Sequence, residues 1–370
     1  MNGRQNPNQN PAPRQNQRPP QRKKKKYYFR PNKEGMQALL ILVLIAALII
    51  TLLVLTIKGI ASAIGGPEET TTAETTTAET TTEAPVVVTW HDDYVKKAVP
   101  TTDVAVGDLI LVNFEHKYEL TDTITSKLKK LYASEGCFEY FQVSNSDLQV
   151  RREIAENLRA MITDLVDVSP KLGTTKAHDQ VIIVSGYRST DYQQGLYEKQ
   201  VEDNYVALPG HSEHHTGLAV DIKAFLAVDG NGNRATTELS DDDQAWMEAN
   251  CANYGFIVRY DGAKFELTGI LDETWHFRYV GKPHAQYMSE NGLCLEEYLS
   301  LLRTTYNFDT CDAPLTYITG EGEEATTYEI YYYPASADVN TDIFVPKAGT
   351  YSDISISGDN MNGFIVTVTK

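Results

Sequence analysis

Hydrophobic and polar positions divide this chain into stretches that cannot fold alone and stretches that must bury a core. The first 34 residues are mostly Asn, Gln, Pro and Arg, with almost nothing apolar before Tyr27. Burial there cannot offset chain entropy, so 1–34 is expected to be a disordered basic tail. Ala38 to Ile57 is an almost uninterrupted apolar run of about twenty residues, long enough to cross about 30 Å of hydrocarbon. A signal peptide would have a shorter apolar core with a small-residue cleavage site close behind it. Residues 35–60 are therefore expected to be an uncleaved transmembrane helix that meets the lipid bilayer through residues 38–57. Glu69 to Ala84 repeats a unit close to Glu-Thr-Thr-Thr-Ala, which has no apolar periodicity and carries like charges, so 61–85 reads as an extended stalk.

Apolar and aromatic residues return at Val86 to Trp90, and from 86 to 306 the pattern is that of a mixed α+β domain. Ile154, Leu158, Met161 and Leu165 recur at helical spacing within Arg151 to Val166. Val181 to Val184 is a β-branched run ending in Ser185-Gly186, which predicts a buried strand and a turn. Asp191 to Val201 suits a helix, with Ser189 or Thr190 as its cap. Leu218 to Ile222 and Trp275 to Val280 read as strands, and Asp242 to Tyr254 as a helix stopped by Gly255. Short β-type runs separated by Gly, Pro and Asn fill 307–370, predicting a small β-rich extension that is either a binding module or, as its small size favours, a buttress for the domain before it. The fold class is α+β: a central antiparallel sheet with flanking helices, preceded by one transmembrane helix.

Charge fixes the orientation of that helix. The first 33 residues hold ten Lys/Arg and no acid, whereas the whole chain is −17. The positive-inside rule puts the amino terminus in the cytoplasm and everything after Lys58 outside, a single-pass topology. The strongly acidic remainder excludes nucleic acid as its partner, because it repels phosphate. Cys137, Cys251, Cys294 and Cys311 form no CxxC pair, which argues against a structural zinc site and leaves buried thiols or disulfides. Cys294 and Cys311 close the shortest loop and are the first candidate bridge.

Candidate chemistry gathers in two places. Pro209-Gly-His-Ser-Glu-His-His-Thr-Gly-Leu-Ala-Val-Asp-Ile222 holds three histidines, and Glu273-Thr-Trp-His276 holds a fourth beside an acid. A hydrolytic zinc takes three His, Asp or Glu ligands and keeps one position open for water. His214, Asp221 and His276 supply that set. Seven residues from His214 to Asp221 are too many for one helical face, but a loop entering the strand Leu218 to Ile222 turns both inward, with Gly217 permitting the bend. Glu273 is the natural general base, taking a proton from the attacking water and returning it to the leaving amine. Residues three apart on a regular strand face opposite ways, so the backbone near Thr274 must bend for Glu273 to share a cavity with His276. His178, His211, His215 and His284 are expected to be structural or exposed, Tyr187 and Trp275 to be core aromatics, and Asp272 to be solvated.

These residues resemble the VanY-type zinc D-alanyl-D-alanine carboxypeptidases, whose signatures are SxHxxGxAxD and ExxH. Ser212, His214, Gly217, Ala219 and Asp221 match the first, and Glu273 with His276 the second. An upstream SGYR element, with Gln five residues past its Arg, stands as Ser185-Gly186-Tyr187-Arg188 and Gln193. The resemblance covers neither 1–85 nor, with any specificity, the chain beyond Tyr306. It implies a Hedgehog/DD-peptidase-like fold, one zinc ion on His214, Asp221 and His276, Glu273 as catalytic base, and Arg188, Gln193 and Ser212 around the substrate. Arg188 suits either a terminal carboxylate or the oxyanion of the scissile carbonyl. The function implied is removal of the terminal D-Ala from peptidoglycan stem peptides. The rivals are an L,D-carboxypeptidase acting on tetrapeptide stems, a D-Ala-D-Ala dipeptidase, and a non-catalytic wall-binding protein. Loss of Glu273 or a ligand would mark the last, and none is lost; an anchor and stalk weigh against a free dipeptide made in the cytoplasm.

Overall fold

The β-branched run at 181–184 and the strand that follows His214 form the middle of a mixed sheet in the computed structural model, which describes residues 93–119, 125–133, 137, 139–199 and 206–370. The basic tail, the apolar run at 38–57 and the Thr-rich stalk lie outside the described residues. Among the described residues no helix is long and apolar enough to cross a membrane. In chain order the strands are β1 (Tyr94–Pro100), β2 (Leu128–Lys130), β3 (Phe141–Val143), β4 (Gln149–Arg151), β5 (Gln180–Ser185), β6 (Ala219–Phe225) and β7 (Thr236–Thr237). They continue as β8 (Phe256–Tyr260), β9 (Glu273–Tyr279), β10 (Leu315–Thr319), β11 (Thr326–Pro334), β12 (Asn340–Pro346), β13 (Asp353–Gly358) and β14 (Gly363–Thr369).

The site-bearing sheet runs β3-β5-β6-β9-β8, with β7 beside β6. Its pairs are antiparallel except β3 with β5, which run parallel. Helix α1 (Arg152–Val168) covers it by burying Ile154, Leu158, Met161, Ile162 and Leu165 against Val181, Ile183, Val220 and Ile222. Those helix positions recur every three or four residues, so one apolar stripe meets the alternate residues of the strands. Helix α2 (Thr190–Tyr197) is capped by Ser189, whose Oγ accepts from the Tyr192 amide at 3.2 Å. Helix α3 (Asp241–Asn250) begins with three aspartates at its positive end and runs into a turn that Gly255 closes at φ 84°.

Helices α4 (Lys282–Asn291) and α5 (Leu295–Thr305) sit between this sheet and the later strands. Leu299 and Leu302 of α5 share one apolar cluster with Ile257 and Val280 on one side and Leu315, Ile330 and Ile365 on the other. The later strands form a sheet in the order β10-β11-β14-β13, and β12 pairs along its full length with β1. The first described strand is therefore held by the last part of the chain. Cys294 is a free thiol that caps α5: its side chain accepts from the amide of Glu297, whose carboxylate takes the Cys294 N–H at 2.9 Å. Of the two readings left open by the sequence, buried thiols or disulfides, the candidate Cys294–Cys311 bridge is not formed, and the Cys294 side chain sits at the helix end instead.

His284 ties α4 to both neighbours, through Nδ1 to the Tyr298 hydroxyl at 2.7 Å and Nε2 to Thr367 Oγ1 at 3.1 Å. Burial pushes its imidazole down to about 3. The folded state keeps His284 neutral while the unfolded chain protonates it near 6.5, so this group's stability is present above that pH and is lost as pH falls toward the folded value. In urea unfolding, the wild type should lose about 2 kcal/mol more than His284→Gln between pH 7 and pH 5. Equal losses in the two proteins would contradict a neutral, buried His284.

Candidate active site

Antiparallel register sets the centre of the site. Asp221 on β6 lies directly opposite His276 on β9, so alternation points both side chains to the same face. His276 Nδ1 stands 3.2 Å from Asp221 Oδ1. His214 arrives from the loop before β6, on a helical turn spanning Glu213–Thr216 that ends at Gly217 with φ 69°. A side chain there would be strained and would meet Leu128 Cδ2 at 2.9 Å and Arg151 Cγ at 3.1 Å, which is why only glycine turns the chain here. His214 Nδ1 donates to the Gly186 carbonyl at 2.7 Å, leaving Nε2 to face Asp221 Oδ2 at 3.4 Å.

Two imidazoles and one carboxylate, all buried, bring one donor atom each within 4.8 Å of one another. Asp221 Oδ1 has no hydrogen-bond partner. A buried polar atom left unpaired costs about 1–3 kcal/mol, and a cation among these donors removes that cost. The set of two His and one Asp is the donor chemistry of a hydrolytic zinc site, which takes three such protein ligands, and so fits zinc.

Glu273 joins this face through a backbone irregularity. Tyr260 pairs with Glu273 and Val258 with Phe277, so β9 carries extra residues opposite β8. This bulge between Glu273 and Phe277 is the bend that the spacing of Glu273 and His276 requires. Glu273 Oε2 lies 3.7 Å from His276 Nδ1. Burial raises its carboxyl to about 7, against the opposing pull of His276. Burial acts the other way on His214, which it lowers to about 4 with help from the Arg188 charge. Burial alone would raise Asp221, but the facing His214 and His276 rings hold it well below the carboxylate range.

Arg188 follows the turn after β5 and is fixed on three sides. Its guanidinium donates to Asp221 Oδ2 at 2.7 Å, Ser185 Oγ at 2.8 Å and Gln193 Oε1 at 3.4 Å. Gln193 is fully buried on α2 and donates to the Ala207 carbonyl at 2.8 Å. Arg188, Gln193, Ser212, His214, Asp221, Glu273 and His276 all line one cavity of about 280 Å³, which also takes in Tyr260 and Trp275. A second cavity of about 390 Å³ shares Val206, Ala207, Tyr260 and Ile270 with it and continues past Phe114, Leu208 and His211.

Every residue singled out for the site thus comes to one cavity, and Trp275, expected in the core, is half-buried in its wall. His215 is buried as a brace, with Nδ1 on the Arg188 carbonyl at 2.7 Å and Nε2 accepting from the Gly210 amide at 3.0 Å. His211 bonds the Asn113 carbonyl and His178 pairs with Thr175. Sequence reading missed Tyr260, whose ring lies 4.8 Å from that of His276, and Glu213. The latter occupies a variable place of the first signature, and its partners Arg259 and Arg278 lie far along the chain.

An α+β sheet carrying a His, Asp, His donor set beside a buried carboxylate defines a metal-peptidase type of site. A family model for D-alanyl-D-alanine carboxypeptidases, VanY, matches residues 147–282, which contain all of these side chains. The D-alanyl-D-alanine carboxypeptidase of Enterococcus faecium is 33% identical over 273 residues, covering 74% of this chain and 78% of its own. The bifunctional D-Ala-D-Ala dipeptidase and D-Ala-D-Ala carboxypeptidase VanXYC of Enterococcus gallinarum is 34% identical over 169 residues, covering 44% and 83%. The crystal structure of the vancomycin resistance D,D-dipeptidase VanXYg, in complex with a D-Ala-D-Ala phosphinate analogue, aligns with a TM-score of 0.57 at 29% identity. That alignment covers 75% of this chain and 99% of the other. The chain belongs to the VanY D-alanyl-D-alanine carboxypeptidase family.

Removing a donor from the set should remove the metal. His214→Ala and Asp221→Ala are each expected to abolish stoichiometric zinc binding, measured by metal analysis after equilibrium dialysis. A variant that keeps one zinc per chain at unchanged affinity would refute the ligand assignment.

Proposed function

We propose that this chain is a membrane-anchored zinc carboxypeptidase that removes the terminal D-alanine from peptidoglycan stem peptides outside the cytoplasmic membrane. The observation that carries this reading is the convergence of His214, Asp221 and His276 on one point, with Glu273 and Arg188 opening onto the same cavity. His214, Asp221 and His276 would hold a zinc ion, which would supply Lewis acidity at the site. Glu273 accepts the proton of the attacking water, and a carboxyl raised to about 7 is suited to both taking and returning it. The same proton goes to the amine nitrogen as the amide bond breaks, so the carboxylate is regenerated. Arg188 is held rigidly by Asp221, Ser185 and Gln193 and offers a fixed positive charge to the substrate carboxylate or to the developing oxyanion.

The second cavity, which shares wall residues Val206, Ala207, Tyr260 and Ile270 with the first, supports a substrate longer than a dipeptide. The apolar run at 38–57, with its basic flank and Thr-rich spacer, supports an anchor that holds the enzyme above the membrane, where a wall polymer lies. In this reading 1–34 is a cytoplasmic tail, 35–60 the anchor, 61–85 the stalk, 86–306 the peptidase domain and 307–370 its β-rich extension.

The test is amino-acid release by the purified full-length chain from a pentapeptide stem ending in D-Ala-D-Ala, a tetrapeptide stem and free D-Ala-D-Ala, each with zinc and with a chelator. Chelator-sensitive release of D-Ala from the pentapeptide alone is expected. Release from the tetrapeptide moves the assignment to an L,D-carboxypeptidase, and release from the dipeptide to a dipeptidase. No release from any of the three, with zinc bound, would overturn the reading. Glu273→Gln should retain zinc and lower kcat by roughly 10²–10⁴-fold, the range for a general base; wild-type turnover in that variant would remove Glu273 from the mechanism.

A further inference from the structure

Behind the site two buried polar atoms face each other without a partner. Glu213 Oε2 and His276 Nε2 make no hydrogen bond by ordinary geometry, yet they lie 3.5 Å apart and both side chains are almost completely buried. That separation is too short for an intervening water, which needs two hydrogen-bond lengths. The carboxylate is not free to turn away. Its other oxygen accepts from Arg259 Nε at 2.8 Å and Arg278 Nη1 at 2.7 Å. Both arginines are pinned in turn: Arg259 grips Glu296 with two nitrogens at 3.0 and 2.7 Å, and Arg278 donates to the Asp108 and Ile110 carbonyls. Glu213 is left with one unused oxygen, and it is aimed at His276.

We infer that Glu213 is a positioning residue that takes the Nε2–H of His276 and so fixes the imidazole with its Nδ1 lone pair toward Asp221 and the cation. The inference rests on reading His276 as a zinc ligand. Ring nitrogens of metal-bound histidines are commonly held in this way from behind, and the choice of partner sets both tautomer and basicity. Here the two histidines are held oppositely. His214 gives Nδ1–H to a neutral carbonyl and offers Nε2, whereas His276 gives Nε2–H to a carboxylate and offers Nδ1. Register explains how the brace reaches so close. His276 and Arg278 lie two apart on β9 and share a face, with Ala219 opposite Arg278 and Asp221 opposite His276. The small alanine of the first signature faces the arginine that holds Glu213.

Glu213→Gln separates this role from that of a mere charged cluster in the core. The two arginines demand an acceptor, so the glutamine oxygen stays with them and its NH₂ turns to His276. The imidazole must then accept at Nε2 and carry its proton on Nδ1, the atom needed for the metal. Zinc affinity, read by competition with a chromogenic chelator, is expected to fall by roughly 10–100-fold. In the zinc-loaded wild type, the His276 Nε2 proton should give a downfield, slowly exchanging NMR resonance, assigned by its loss in His276→Gln, and it should likewise be lost in Glu213→Gln. Wild-type zinc affinity and a retained resonance in Glu213→Gln would overturn the proposal, even if that variant melts at a lower temperature. Where the variant does not fold, the wild-type resonance decides: a His276 N–H that exchanges at the rate of exposed imidazole overturns the proposal. Failure of the zinc reading itself looks different, because His276→Gln would then bind zinc as tightly as the wild type.

Discussion

The register between β6 and β9 is the constraint on which the site depends. It sets Asp221 against His276 as a cross-strand pair inside the sheet, where a shift of one residue would send one of them to the opposite face. The other groups are brought to that pair by departures from regular structure. The left-handed turn at Gly217 delivers His214, the bulge in β9 delivers Glu273, and the turn after β5 delivers Arg188. Regular strands supply rigidity and the irregular positions supply aim, the division of labour that a preorganised site requires.

Rigidity has a second source behind the sheet. Glu213, Glu296, Arg259 and Arg278 bring two negative and two positive side chains together in a largely dry interior. Such clusters cost desolvation and do little for net stability. Their presence is better understood by where they lie: Glu213 precedes His214 and faces His276, two of the three donors gathered at the site, while Arg278 shares the strand of His276. The cluster also ties the segment at 108–113 and the start of α5 to the sheet. Packing by α5 then passes from the site-bearing sheet to the later strands, so the β-rich end of the chain supports the helices that back the site.

Much of the site was legible because its residues come in short, strongly constrained strings. His214, Gly217 and Asp221 lie within eight positions, and the bend between Glu273 and His276 follows from strand alternation alone. The stripe Ile154, Leu158, Met161 and Leu165 and the cap at Ser189 were visible for the same reason: both are local. What was not legible is long-range. Glu213 has no local signal, since its meaning lies in two arginines on β8 and β9. The pairing of β1 with β12 joins opposite ends of the described chain, and no periodicity announces such a partner. Loop length made Cys294 and Cys311 the first pair to test for a bridge, while the capping role of Cys294 on α5 is known only once the helix is placed.

The proposed chemistry needs a cation bound among His214, Asp221 and His276, and diffraction from zinc-loaded crystals on both sides of the zinc absorption edge tests for it most directly. One anomalous peak per chain is predicted, within roughly 2.0–2.2 Å of His214 Nε2, an Asp221 oxygen and His276 Nδ1. A peak held instead by His211 or His215, or a crystal soaked in zinc with no peak at these three residues, would contradict it.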